Sequence, residues 1–196
     1  MIDEYNADRT GYAQFSDDRV MRYHLVRMVS EPARAEGLHE MLPAINMGAV
    51  RWPGLRVAVF LMLNPSDADA FKPDPTVRNC VLFTQRWEFD ITWAVNLNAF
   101  RSPWPKDLKK RAMGFRGDDH QNNVAILTAC RSANVVVAAW GNDGGLDCRD
   151  HAVRALLKTA DIKLHHMGLT KTGFPKHPMA RGVHRISADQ QPVPWS

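Results

Sequence analysis

Four apolar stretches separated by segments of helical periodicity determine the predicted architecture of the chain. The stretches are residues 57–63, 91–97, 133–140 and the weaker 162–167. A short continuous apolar run that ends at turn residues is typical of a strand buried on both faces, as in a parallel sheet. We therefore expect these stretches to form the four strands of a central sheet.

Helical segments are predicted between the strands, at residues 75–87, 118–131 and 146–159, where apolar residues recur at helical spacing. Strands that alternate with helices connect through right-handed crossovers, which place helices on both faces of the sheet. The predicted fold is a three-layer α/β/α domain of residues 1–196, with a central, mostly parallel, four-stranded sheet.

The first part of the chain gives weaker signals. Residues 1–19 are polar and are expected to be irregular. Residues 22–29 fit an edge strand, and residues 31–41 fit a short helix or excursion that ends before Pro43.

Composition narrows the functional classes only slightly. The net charge of +4 suits a polyanionic partner, although a weak positive excess is also common in enzymes. Cys80, Cys130 and Cys148 form no Cys-x-x-Cys pair, so the sequence suggests neither a zinc site nor an iron–sulfur cluster, and we expect no metal and no cofactor. No apolar run reaches the roughly 20 residues of a membrane span, so we expect a cytoplasmic protein without a membrane partner.

The loops that follow the predicted strands are residues 64–74, 98–106, 141–145 and 169–181. In an α/β sheet, ligands bind at the carboxyl ends of parallel strands. These loops are rich in Pro, Gly, Asn and Asp, and we expect them to converge on one site.

The first loop begins with Asn64-Pro65-Ser66. Pro65 restricts Asn64 to an extended conformation, which allows its side chain to project into a cleft. Because Asn, Pro and Ser also favour turns, a purely structural role remains an alternative for Asn64 and Ser66. Asp74 and Pro75 further along are typical of a helix N-cap followed by proline at the first helical position.

The second loop offers amide and basic side chains. Asn96 and Asn98 flank the strand end, and a carboxamide can pair with a base edge or, equally well, with loop backbone. Arg101 follows and begins the densest basic cluster of the chain. These side chains could contact phosphate groups or could form the solvent-exposed face of a helix. This cluster comprises Arg101, Lys106, Lys109, Lys110 and Arg111.

The loop at residues 173–178 is braced by Pro175 and Pro178 on either side of His177. A histidine held in this way can donate a proton or a hydrogen bond to an oxyanion that forms on a base. A structural role for His177 is the alternative. No phosphate-binding loop of the G-x-x-x-x-G-K-[ST] type, no G-x-G-x-x-G and no G-x-S-x-G motif is present, so the sequence gives little support to nucleotide hydrolysis, dinucleotide binding or serine-hydrolase chemistry.

Taken together, the motifs resemble a bacterial and phage family of unknown function and are similar, more distantly, to the uracil-DNA glycosylase superfamily. The segments that carry the resemblance are Arg22-Tyr23, Met62 to Asp69, Asp74 to Arg78, Val95-Asn96-Leu97, Ala139-Trp140-Gly141 and Gly173 to Pro178.

The resemblance to the glycosylases implies a glycosylase-like fold and pocket. It implies that Asn64 positions water, that Asn96 reads the base edge and that His177 faces the oxygen of the leaving base. Met179 stands where the glycosylase motif usually has serine, and an asparagine stands at the first-motif position where other branches have an aspartate. Asp67, Asp69 or Asp74 could supply a carboxylate, but their spacing selects none of them.

These observations predict an enzyme that acts on a nucleobase of DNA or of a nucleotide, either excising a uracil-like or modified base or modifying it. The flipped base would stack on Phe71 or Phe83 and contact Ser66. Phosphate groups would be bound by Arg78, Arg101, Lys176 and Arg181.

Two alternatives remain open. The first is a phage-type transferase that attaches an amine or amino acid, as co-substrate, to an activated 5-hydroxymethyl pyrimidine of DNA. The second is a non-catalytic module that binds nucleic acid or nucleotide.

Overall fold

The computed structural model describes residues 1–31, 33, 54–104, 107–108 and 119–195. In these residues, eight strands form one sheet in the order β1-β2-β3-β5-β4-β6-β7-β8. The strands are β1 (Ile2–Tyr5), β2 (Gly11–Phe15), β3 (Arg22–Met28), β4 (Val57–Met62), β5 (Ile91–Asn96), β6 (Val135–Ala138), β7 (Leu164–His166) and β8 (Val193–Trp195).

The four predicted strands form the parallel centre of this sheet. Strand β4 pairs in parallel with β5 on one side and with β6 on the other, and β6 pairs in parallel with β7. Every residue of β4, β5 and β6 is buried, because helices cover both faces. The expectation of a four-stranded sheet is wrong in extent, since antiparallel strands extend the sheet at both ends.

The N-terminal region is strand rather than irregular chain. Strands β1 and β2 form an antiparallel pair, and β3 lies between β2 and β5 rather than at an edge. Polar pairing across the strands explains why hydrophobicity did not reveal them. The carboxylate of Asp3 accepts hydrogen bonds from the Tyr12 hydroxyl at 2.8 Å and from the Gln14 amide at 3.0 Å.

Three helices of ten or more residues cover the sheet in the described residues: α1 (Pro75–Arg86), α2 (Asp119–Arg131) and α3 (Arg149–Thr159). Helix α1 packs on one face and α2 and α3 on the other, which gives the three layers. Helix α3 begins later than predicted because Asp147 and Cys148 have positive φ angles of 53° and 56°. The residues before it form the 3₁₀ segment Asn142–Cys148, and a second 3₁₀ turn spans Gly182–His184.

Residues 32, 34–41 and most of the predicted basic cluster lie outside the described residues. Among the residues that are described, no helix has the length and apolar character needed to cross a bilayer.

Candidate functional site

A cavity of about 420 Å³ lies where the loops after β4, β5, β6 and β7 meet. Its volume is within the range of small-molecule sites, roughly 300–1,000 Å³. The expectation that these loops converge is confirmed. The polar residues that line the cavity are Arg22, Asn64, Ser66, Asp74, Thr76, Ser102, Asn142, Asp143 and His177.

His177 is held by the backbone around it. The Gly141 N–H donates to the Pro175 carbonyl at 2.9 Å, and this bond ties the histidine loop to the end of β6. The Nδ1 atom of His177 accepts a hydrogen bond from the Met179 N–H at 3.1 Å. The neutral ring therefore carries its proton on Nε2. Burial lowers the pKa of His177 below its usual 6.5, and the charge of Asp74 opposes that shift.

Asp74 lines the cavity, as does Asp143 from the loop after β6. Its Oδ1 caps helix α1 by accepting from the Val77 N–H at 2.7 Å, as predicted, and its Oδ2 accepts from the Ser66 hydroxyl. Asp67 is exposed, and Asp69 accepts hydrogen bonds from the backbone of its own turn. Of Asp67, Asp69 and Asp74, the cavity is lined by Asp74 alone.

Asn64 joins two of the loops. Its amide Nδ2 donates to the Ser102 carbonyl at 2.8 Å and to the Pro65 carbonyl at 3.1 Å. In the part of the chain that the structure describes, no hydrogen bond involves its Oδ1. The Asn64 side chain therefore holds the loop after β4 against the loop after β5. Its Oδ1 is able to accept a hydrogen bond from a ligand or water in the cavity.

Arg22 is a buried cation in the cavity wall that sequence reasoning did not assign to the site. Its Nη1 donates to the Ala68 carbonyl at 2.7 Å, whereas its Nε has no partner among the described residues. Burial lowers the pKa of Arg22 to about 9, against the opposing charge of Asp74, so the guanidinium is still protonated at neutral pH. One signal in the sequence could have identified Arg22: it is an arginine at the start of an apolar strand. Burial of a charged side chain costs free energy unless the charge is paired.

Trp140 forms an apolar part of the wall. It is 2% exposed, and its Nε1 has no partner among the described residues. Gly144 packs directly against the indole: a Cβ at position 144 would lie 1.9 Å from Trp140 Cδ1. On another side, the Trp195 ring lies 5.5 Å away.

Several residues predicted to bind the base do not line the cavity. Phe71 is 62% exposed, and Phe83 is buried against Trp87 with ring centroids 5.5 Å apart. Asn96 is 1% exposed and neither atom of its carboxamide has a partner among the described residues. It pairs in the sheet with Met62, which does line the cavity. Of the predicted base-binding set, the structure brings only Ser66 to the cavity.

The four predicted phosphate-binding residues also lie outside the lining of the cavity. Arg78 and Arg181 are exposed, and the aliphatic chain of Lys176 packs beside Gly168. Arg101 donates to the Arg19 carbonyl at 3.2 Å. Among the described residues, the cation that lines the cavity is Arg22.

The fold and the site define an α/β protein with a cavity at the carboxyl edge of its parallel strands. The cavity combines the carboxylates of Asp74 and Asp143 with a neutral imidazole and a buried guanidinium. The chain belongs to the family described as "Protein of unknown function (DUF1643)", which matches residues 50–179. The comparisons with curated proteins and with solved structures gave no match. The matched region contains β4 to β7 and the loops of the cavity, whereas Arg22 precedes it.

Proposed function

We propose that the protein is an enzyme that processes a nucleobase of DNA in this cavity. The observation that carries the proposal is the presence of His177 and Asp74 in the wall of one cavity. Burial keeps the imidazole neutral, so Nε2–H serves as a hydrogen-bond donor, while the carboxylate serves as an acceptor. Paired groups of this kind support chemistry that needs one donor and one base.

In the version that the geometry supports best, the enzyme excises a uracil-like or modified base. The bond between C1′ of the sugar and the base nitrogen breaks, and its electron pair leaves with the base. His177 Nε2–H donates to the carbonyl oxygen of the base on which negative charge develops. A water forms the new C1′–O bond and transfers its proton to Asp74, and solvent then protonates the departed base. Asn64 Oδ1 accepts a hydrogen bond from that water.

A second candidate is favoured by Arg22. A buried guanidinium beside the cavity suits a substrate with an anionic leaving group. In this version, an amine or amino acid attacks the activated 5-methylene of a pyrimidine in DNA. The new C–N bond forms as the C–O bond to pyrophosphate breaks, the leaving group keeps the electron pair, and the amine proton passes to Asp74. His177 then orients the base.

Mass spectrometry of defined oligonucleotides separates the two versions. The substrates are oligonucleotides with uracil, a mismatched base, 5-hydroxymethyluracil or its pyrophosphorylated form, each incubated with and without mixed amino acids. Loss of a base that requires His177 establishes excision, and a mass gain that requires an amino acid establishes transfer. Unchanged masses throughout, with binding that survives His177→Ala, would replace both with a non-catalytic binding module.

A further inference from the structure

A second cavity, of about 550 Å³, lies between helix α3 and the strands β7 and β8. Its apolar floor is formed by the aliphatic and aromatic residues Ala155, Ile162, Leu164, Pro194 and Trp195. Its charged rim consists of His151, Arg154, Lys158, Asp161 and Lys163. We call this surface the basic groove.

The charges of the basic groove are unbalanced. Among the described residues, its lining includes three cations, Arg154, Lys158 and Lys163, and one carboxylate, Asp161. No carboxylate lies within ion-pair distance of these three cations in the described part of the chain. Positions 151, 154 and 158 are three and four residues apart, so their side chains share one face of helix α3. Cations gathered without carboxylate partners repel one another and favour binding of an anion.

The floor of the groove adds an aromatic surface. The guanidinium carbon of Arg154 lies 4.4 Å from the centre of the Trp195 ring. Trp195 in turn contacts Trp140, which lines the cavity that contains His177. The two tryptophans therefore connect the basic groove to the proposed site of chemistry.

We propose that the basic groove binds a single-stranded segment of polynucleotide. Proteins bind such strands by combining cations that contact phosphates with an aromatic side chain that contacts bases. On binding, Arg154 moves from the Trp195 ring to a phosphate, beside the phosphates that Lys158 and Lys163 contact. The ring face that Arg154 covered then supplies the surface for a base. The proposal rests on the proposed function in one respect: the bound strand is the one that carries the processed base.

Fluorescence anisotropy of a labelled 12-nucleotide thymidine oligomer tests the groove directly. Three phosphate contacts predict that the logarithm of the association constant falls with the logarithm of salt concentration with a slope of about −2. Lys158→Glu should weaken binding at least about tenfold at low salt, because it replaces a contact by a repulsion. Trp195→Leu should weaken it about fivefold or more through lost stacking.

Arg86→Glu is the matched control. Arg86 is exposed in the last turn of α1 on the opposite face of the sheet, as Lys158 is in the last turn of α3, so both reversals carry the same helix-dipole cost. The control should bind as the wild type does. Equal weakening by both reversals would overturn the proposal, as would displacement of the oligomer by polyglutamate at the same charge concentration.

Different outcomes would reject the proposed groove and the proposed chemistry. Binding that depends on Lys158 but is followed by no change in any oligonucleotide mass removes the proposed function and retains the groove. Base processing that is unaffected by Lys158→Glu, together with unchanged oligomer binding, removes the groove and retains the function.

Discussion

The backbone N–H of Met179 donates a hydrogen bond of 3.1 Å to Nδ1 of His177. This bond occupies one ring nitrogen and leaves Nε2 to carry the proton of the neutral imidazole. The backbone of residue 179, rather than its side chain, therefore fixes the tautomer. In the proposed mechanism this tautomer supplies the hydrogen bond that stabilises charge on the base.

The pH dependence of the reaction should report a neutral His177. Because burial lowers the pKa of His177 below 6.5, the ring loses its charge at a lower pH than an exposed histidine does. We expect kcat/KM to rise with pH only below 6.5 and then to stay level up to pH 8. A rate that falls as the pH rises through that range would show that the cationic ring acts as an acid instead.

Replacement of Asp74 should separate catalysis from stability. Asp74→Asn keeps an oxygen that accepts from the Val77 N–H but removes the base, so the rate should fall by about 10²–10⁴. Asp74→Ala also removes the cap, and should cost about 1 kcal/mol more free energy of unfolding than Asp74→Asn. Urea unfolding and single-turnover rates on the same preparations give both quantities. Full activity in Asp74→Asn would show that the carboxylate takes no part in the reaction.

Gly144→Ala should disrupt the cavity wall. A methyl group at position 144 would overlap the buried Trp140 ring, at 1.9 Å from Cδ1, so the ring would have to move from its place in the cavity wall. We expect a loss of about 1–3 kcal/mol in the free energy of unfolding, with altered near-UV circular dichroism.

Gly145→Ala is its control, since in the described residues that methyl group meets the partly buried Phe174 alone, at 3.1 Å. The control should retain the dichroism of the wild type. Equal stability in the two variants would contradict the predicted contact between Gly144 and Trp140.

Buried His24 should make the fold sensitive to acid. Its Nδ1 accepts from the Trp93 indole N–H at 3.1 Å, and burial lowers its pKa to about 3, against the opposing charge of Asp3. The unfolded chain binds this proton near pH 6.5, whereas the folded protein binds it only near pH 3. Below pH 6.5, the free energy of unfolding should therefore fall as the pH falls, by about 1.4 kcal/mol per unit from this residue.

His24→Gln keeps an acceptor for Trp93 but has no titrating group. The variant should show a shallower loss of stability than the wild type between pH 6 and pH 4 in urea unfolding experiments. Parallel stability curves for the two proteins would show that His24 is not the source of the acid sensitivity.

The parallel centre of the fold was predictable because its signals are local. Strand β4 is a continuous apolar run, and the start of α1 is marked by Asp74 and Pro75. Strands β1 and β2 were missed because they are short, and β1 is stabilised by pairing with β2 and by hydrogen bonds to Asp3 rather than by an apolar stretch.

The candidate site was predictable only in part. Loop positions at strand ends correctly placed Asn64, Ser66 and His177 at one cavity. The selection of Asp74 over Asp69 depends on which carboxylate faces the cavity, and spacing along the chain does not contain that information. Arg22 was missed for a related reason, since β3 reaches the cavity through antiparallel pairing with β5, a contact between distant parts of the chain.

The most direct test of the central claim compares the wild type with His177→Gln on the oligonucleotide set, with mass measured after a single turnover. We predict that the wild type changes the mass of at least one modified or uracil-containing oligonucleotide. His177→Gln should do so about 10²–10³ times more slowly while binding it equally well. Equal rates for the two proteins, or no mass change with any oligonucleotide, would contradict the assignment of this cavity to nucleobase chemistry.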